Sequence, residues 1–414
     1  MEKAAIPSPA ISIVGRHNSG KTTSIEKLIS ELTRRGLDVG SIKHHSHAGF
    51  DIDYPGKDSY RHRAAGASET VIAAPGQIAC IKTIEGEREC KELVEKMPGH
   101  DIVIVEGYRK SGLPTIEVMR KANEADSRVA DAFVRGAQEG WTLGTDFTQS
   151  ARGDIIDPDI SNKMPDTETV AIISDIEAAI KAAAQYGIEA FSLDDTLRLA
   201  DFIEQNYARP GLSVVIQAGG ESRRMGRSKA TIPFAGRPLM CRLVERLRDI
   251  ADELIITTNE PEKLSFLNDE FPDTEIHLVR DACERRGALP GFYTALKSAN
   301  NPFVAIVACD MLFASAALVV AEAEEMRKNK VDIVVPVNRH GFEPFHAVYR
   351  RETCLAAVEE AVSKGENRAQ VFFDKVKVQE FPHEKVLEVE PMGGCFVNAN
   401  TPEELAAFEK ALLG

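Results

Sequence analysis

Apolar positions along the chain fall into two alternating patterns: short continuous runs, and runs spaced by three and four residues. Ala10-Ile11-Ser12-Ile13-Val14 is a continuous run, followed after a glycine-bearing stretch by Ile25, Leu28, Ile29 and Leu32. The run predicts a buried strand, and the spacing i, i+3, i+4, i+7 predicts one face of an amphipathic helix. The same succession returns at Leu212-Ser213-Val214-Val215-Ile216, a loop to Gly236, then Met240, Leu243, Val244, Leu247 and Ile250. Strand, loop and helix in that order open an α/β unit, and further alternation follows both. Two tandem three-layer α/β domains are expected, 1–209 and 210–414. The seam is expected within Asn206-Tyr207-Ala208-Arg209-Pro210-Gly211, after a helical stretch from Asp194 to Gln205, because Pro-Gly ends helices and makes turns. Residues 123–165 carry scattered Gly and Asp and the only tryptophan, Trp141, and predict an irregular insertion or long loop.

Composition narrows the class. A length of 414 residues allows two or three domains at roughly 150 residues each. Apolar residues are 43% and charged residues 28%, an ordinary globular balance that excludes a disordered chain. The sequence holds no apolar run long enough to span a bilayer, and Met1 to Ala10 lack the apolar core of a signal peptide. A cytoplasmic protein with no membrane partner is expected. Fifty Lys and Arg against 64 Asp and Glu give a net charge of −14, which disfavours nucleic acid as a partner. The seven cysteines are scattered with no C-x-x-C pair, so they are expected to be reduced and buried.

The first glycine loop carries chemistry. Gly15-Arg16-His17-Asn18-Ser19-Gly20-Lys21-Thr22 fits G-x-x-x-x-G-K-[ST] between a predicted strand and a predicted helix. Such a loop turns successive backbone N–H groups of Gly15, His17, Asn18, Ser19 and Gly20 towards phosphate oxygens, at the positive end of the helix that also carries Thr23. Lys21 then bridges the β and γ phosphates, and the Thr22 hydroxyl ligates Mg²⁺. Glu106 closes the buried run Asp101-Ile102-Val103-Ile104-Val105 and is the candidate second metal residue. His44, His45 and His47, with Asp51 and Asp53 after them, leave three options open: a metal site, an anion-facing surface beside Lys43, Arg61 and Arg63, or a solvated loop. On a strand, His45 and His47 would share one face.

The second glycine loop, Gln217 to Lys229, lacks G-K-[ST]. Its small residues suit close approach of a nucleotide, and Arg224 and Lys229 bring positive charge to a triphosphate. Phe303 to Cys309 is an apolar strand ending on Asp310, a carboxylate suited to Mg²⁺ at the carboxyl edge of an open sheet. Asp281 follows another strand-like run, Ile276 to Arg280, where it can accept hydrogen bonds from a base or ribose.

These motifs resemble two families. Gly15 to Thr22, Ile42 to His45 with Phe50 to His62, and Ile104-Val105-Glu106-Gly107-Tyr108 resemble the molybdopterin-guanine dinucleotide biosynthesis protein B family, over 10–120 and again near 170–203. Its members resemble P-loop GTP-binding proteins that accompany a guanylyltransferase. The loop Gln217 to Lys229, Gly287-Ala288-Leu289-Pro290-Gly291, Ala308-Cys309-Asp310-Met311 and Phe396 to Leu405 resemble the molybdenum cofactor guanylyltransferase family over 212–412. Gln217 stands where that family usually has Leu, Ser228 where Asp is common, and Leu312 where Pro is common. Ala218-Gly219-Gly220 is nearer the guanylyl than the cytidylyl branch.

The resemblance implies a P-loop NTPase-like fold followed by a Rossmann-like nucleotidyltransferase fold. It implies that Gln217, Ala218, Gly219, Lys229, Asn259, Asp281 and Asp310 contact GTP, that Asp310 holds Mg²⁺, and that Asn398 and Asn400 line the acceptor side. The reaction implied is transfer of GMP from GTP to molybdopterin or its molybdenum form, with Asp310, Lys229 and Arg224 as the catalytic set. Weak GTP hydrolysis by the first domain, a homodimer through it, and molybdopterin-handling protein partners are further expectations. Two rivals stay open on sequence: a nucleotidyltransferase using CTP or another acceptor, and a non-enzymatic GTP-dependent pterin carrier.

Overall fold

The computed structural model describes residues 6–45, 53–144, 160, 162–219, 229–283, 285–399 and 401–413, with backbone only at 229, 402 and 411–413. From residue 7 onward the chain divides into two compact units, Pro7–Arg209 and Pro210–Gly414.

In the first unit, β1 (Ala10–Gly15), β2 (Val39–Lys43), β5 (Ile102–Glu106), β6 (Thr115–Met119), β7 (Thr169–Ser174) and β8 (Glu189–Phe191) form one parallel sheet in the order β2-β5-β1-β6-β7-β8. β3 (Glu69–Ala74) and β4 (Gln77–Lys82) make a separate antiparallel hairpin. Successive strand residues point to opposite faces, so the apolar runs feed two cores. Ile11, Ile13, Ile104 and Val118 pack with Leu28 and Leu32 of helix Lys21–Arg34 and Ile203 of helix Thr196–Asn206. Met119 and Ile172 pack on the other face with Phe133 and Ala179. The result is the expected three-layer arrangement.

Part of the stretch expected to be irregular is regular. Glu124–Glu139 is a helix, capped by Asn123, whose side-chain oxygen accepts from the amides of Ala125 and Asp126. Its buried face carries Val129, Ala130 and Phe133, and Gly140 ends it in the left-handed conformation. Asp126, Asp131 and Gly136 dilute this stripe in the sequence, although Asp126 and Gly136 are themselves buried. Residues 145–159 lie outside the described residues.

The second unit is a mixed sheet. β9 (Leu212–Gln217) is central, with β12 (Glu253–Thr257) and β14 (Phe303–Ala308) parallel on its two sides. β13 (Ile276–Val279) extends it beyond β12; beyond β14 come β17 (His346–Arg350), β15 (Ile333–Asn338), β16 (Gly341–Phe342) and β18 (Val378–Phe381). β10 (Pro233–Phe234) and β11 (Arg237–Pro238) form a small hairpin. Alternation again divides the core. Val214, Ile216 and Val307 face helices Leu239–Leu247 and Ala316–Asn329, while Val215, Ile255 and Ile306 face helices Ala288–Ser298 and Arg351–Ser363.

Among the described residues, no helix is long and apolar enough to cross a membrane. Cys90, Cys241, Cys354 and Cys395 are buried as expected, but Cys80 is exposed because the β3–β4 hairpin stands outside the sheet.

Candidate functional site

In the first unit the strand order reverses at β1, which has β5 on one side and β6 on the other. A crevice opens at such a point beyond the strands' carboxyl ends, and the glycine loop leaves β1 there. Gly20 caps helix Lys21–Arg34 with φ of 89°, a left-handed conformation that a side chain would strain. The resulting cleft, about 1230 Å³, is bordered by Gly15, His17, Asn18, Gly20, Lys21, Thr22, Thr23 and Glu106. Ser19 is an exception: its buried hydroxyl donates to the Arg16 carbonyl at 2.8 Å and serves the loop itself.

Two of the predicted metal-side residues meet. The Thr22 hydroxyl donates to Oε1 of Glu106 at 2.9 Å, and Lys43 Nζ lies 3.2 Å from Oε2. Lys21 Nζ donates to the Arg16 carbonyl at 2.5 Å. Burial lowers the Lys21 pKa, and the Glu106 carboxylate opposes that shift. Arg109, Arg120 and Lys163 also border this cleft. Nothing in the contiguous motif pointed to them, since they come from separate segments.

The histidine expectation needs correcting. β2 stops at Lys43, so His44 and His45 lie beyond the strand rather than on it. The His44 ring stacks on Tyr108 at 4.2 Å between centroids, and its Nε2 lies 2.5 Å from Glu87 Oε1. Asp53 is buried and accepts from the Ser59 hydroxyl at 3.0 Å, while His47 and Asp51 lie outside the described residues.

In the second unit the order reverses at β9, and a cleft of about 660 Å³ opens at the carboxyl ends of β9, β12 and β14. Gln217, Gly219, Asp281, Asp310 and Asn398 all border it. Asn259 reaches the site through Asp281, donating from Nδ2 to Oδ2 at 2.7 Å. Gly219 permits the approach of this carboxylate, because a Cβ there would lie 3.2 Å from Asp281 Oδ1. Gln217 Nε2 is buried with no hydrogen-bond partner among the described residues, a donor left for something else to satisfy.

The Ala218 amide donates to the Thr257 carbonyl at 2.8 Å and its side chain packs on the core. Asp310 is half-buried, two residues past the end of β14. Its carbonyl accepts from the Ala399 amide at 3.2 Å, and Met311 pairs with Asn398 in an isolated bridge, so two distant motifs meet. Arg224, Asn400 and the Lys229 side chain lie outside the described residues. Arg285, Arg286, Glu343 and Phe345 border the cleft as well. The Arg285-Arg286 pair, directly before Gly287, was the available signal for a basic wall. Burial raises the Glu343 pKa, and the Asn338 amide donates to its carboxylate.

The candidate metal-side groups are hard oxygens, the Thr22 hydroxyl with the Glu106 carboxylate in the first cleft and the Asp310 carboxylate in the second. That chemistry fits Mg²⁺ rather than a soft metal.

Comparison with known proteins shows what each half of the chain is similar to. The family described as "Molybdopterin guanine dinucleotide synthesis protein B" matches residues 10–134, and the "MobA-like NTP transferase domain" matches residues 214–380. The chain is 35% identical to "Probable molybdenum cofactor guanylyltransferase" of Natranaerobius thermophilus, over 49% of this chain and 96% of that protein. It is 32% identical to "Molybdopterin-guanine dinucleotide biosynthesis adapter protein" of Haemophilus influenzae, over 34% of this chain and 79% of that protein. A crystal structure of molybdopterin-guanine dinucleotide biosynthesis protein A from Archaeoglobus fulgidus aligns with a TM-score of 0.43 at 21% identity, over 49% of this chain and 98% of that one. The chain therefore belongs to two families at once, the molybdenum cofactor guanylyltransferases and the molybdopterin-guanine dinucleotide biosynthesis adapter proteins.

Proposed function

We propose that this chain transfers GMP from GTP to molybdopterin, or its molybdenum form, with release of pyrophosphate, and that residues 1–209 form a GTP-binding accessory domain. The observation that carries the proposal is one cleft bordered by both Asp281, held by Asn259, and Asp310.

A terminal phosphate oxygen of the acceptor forms a bond to the α-phosphorus of GTP as the bond to the β-phosphate oxygen breaks. The nucleophile is already an anion, so no activating Ser, Cys or His is required. The protein's task is to align two polyanions and neutralise their repulsion. An ionised Asp281 is an acceptor only, which suits the two adjacent N–H donors of guanine better than the acceptor-rich edge of cytosine. Gln217 adds an amide donor to the same wall. Lys229 and Arg224 take charge accumulating on the leaving pyrophosphate, and Asn398 with Asn400 hold the acceptor. Asp310 would hold Mg²⁺, which supplies charge neutralisation at the reacting phosphates when bound. In the accessory domain Lys21 pairs with the β and γ phosphates, and Thr22 and Glu106 would hold the second Mg²⁺.

Product analysis with molybdopterin and either GTP or CTP tests this directly. Dinucleotide should form with GTP, and preferential use of CTP would overturn the assignment. In the full chain, Lys21→Ala should reduce bound GTP from about two to about one per chain while transfer continues.

A further inference from the structure

Buried and half-buried side chains with no role in the chemistry above hold the loop that carries Asp310. The loop runs from Cys309 to Ser315, between β14 and helix Ala316–Asn329. From one side, helix Leu239–Leu247 sends two arginines to its carbonyls. Arg242 Nε donates to Leu312 at 3.3 Å; Arg246 donates to Ala314 at 2.6 Å and to Phe313 at 3.3 Å. Arg242 also sits 5.5 Å from the Phe234 ring and 5.4 Å from the Phe313 ring, a cation between two aromatic faces.

From the other side comes His346, which opens β17 beside Val307 and is fully buried. Its Nε2 accepts the Ser315 amide at 3.1 Å. A backbone N–H can only donate, so Nε2 is bare and the proton of the neutral ring sits on Nδ1. Nδ1 lies 3.5 Å from Oε1 of Glu322, which is also fully buried. Neither Nδ1 nor either Glu322 oxygen has a hydrogen-bond partner within normal range among the described residues. Burial drives His346 down to about 4, so its ring is neutral at neutral pH, and the same burial pushes Glu322 well above the usual carboxylate range. The His346 ring also meets Phe396 edge-on at 5.7 Å, two residues from Asn398.

A fully buried histidine and acid, with two half-buried arginines beside them, are costly fillings, and apolar residues would pack the same volume more cheaply. The arginines and the histidine converge on consecutive groups of one loop, the carbonyls of Leu312, Phe313 and Ala314 and the amide of Ser315. A loop left to itself is mobile, whereas a reacting carboxylate must be held within a fraction of an ångström.

We propose that Arg242, Arg246 and His346 are positioning residues, a clamp that fixes the Cys309–Ser315 loop and with it the Asp310 carboxylate at the cleft. The catalytic consequence rests on the transferase reading above; the clamp itself does not.

The test compares His346→Leu, which loses the acceptor, with His346→Gln, which can offer an oxygen in its place. In folded His346→Leu, hydrogen exchange of the Met311–Ser315 amides should speed up about tenfold or more, while Phe303–Ala308 stays protected. The kcat should fall about 10- to 100-fold with little change in KM for GTP, and Mn²⁺ binding followed by electron paramagnetic resonance should weaken by a similar factor. His346→Gln should recover most of each loss. Should His346→Leu fail to fold, Arg246→Met carries the same exchange and kinetic readouts. Unchanged loop protection in a folded variant, or a loss confined to KM, would overturn the proposal. If the wild-type chain makes no dinucleotide, the transferase reading falls, and the exchange measurement alone decides the clamp.

Discussion

The side-chain amide of Asn259 donates to Oδ2 of Asp281 across 2.7 Å, joining the segments that follow two neighbouring parallel strands, β12 and β13. The pair presents one oriented carboxylate to the cleft instead of two independent surface groups. Asp281→Ala should therefore raise KM for GTP about 10- to 100-fold, since a hydrogen bond to a charged group contributes about 1.5–3 kcal/mol. The change in kcat should be smaller, and Asn259→Ala should shift KM in the same direction by less. Steady-state kinetics with GTP as the varied substrate measures both.

Asn123 links stability to the first cleft. Its oxygen caps helix Glu124–Glu139, and its Nδ2 donates to the His17 carbonyl of the glycine loop at 2.9 Å. Loss of such a cap costs about 1 kcal/mol. Asn123→Ala should lower the denaturation midpoint of the first unit and weaken GTP binding there without altering transfer kinetics. Calorimetry of folding and of nucleotide binding checks the two effects separately.

Glu322 gives the chain a pH dependence of definite sign. Its folded pKa lies well above the ordinary 4.5, so its contribution to stability is intact below that pH and is lost as pH rises through the folded value. His346 acts oppositely, losing its contribution as pH falls from 6.5 through about 4. Glu322→Gln removes the first effect and keeps the second. The variant should gain stability over wild type, and the gain should be larger at about pH 8 than at about pH 5, read from urea midpoints.

Contiguous signals were legible and assembled ones were not. The loop Gly15 to Thr22 is recognisable because its spacing and both flanking elements lie in one stretch of chain. Asp281 and Asp310 stood out as carboxylates following strands, but Asn259 beside Asp281 depends on the register of β12 against β13, which no local pattern encodes. Helix Glu124–Glu139 was missed because buried Asp126 and Gly136 interrupt its apolar stripe. No sequence motif singles out Arg242, Arg246 or His346. Only the packing of helix Leu239–Leu247 and β17 around Cys309–Ser315 shows what they hold.

The central claim is that a carboxylate at the edge of the second unit's sheet serves the chemistry and not the fold. Pyrophosphate release by Asp310→Ala, supplied with GTP, Mg²⁺ and molybdopterin, measures it most directly. The rate should fall about 10²- to 10³-fold while the unfolding midpoint stays near that of wild type. Turnover close to wild type in that variant would contradict the account.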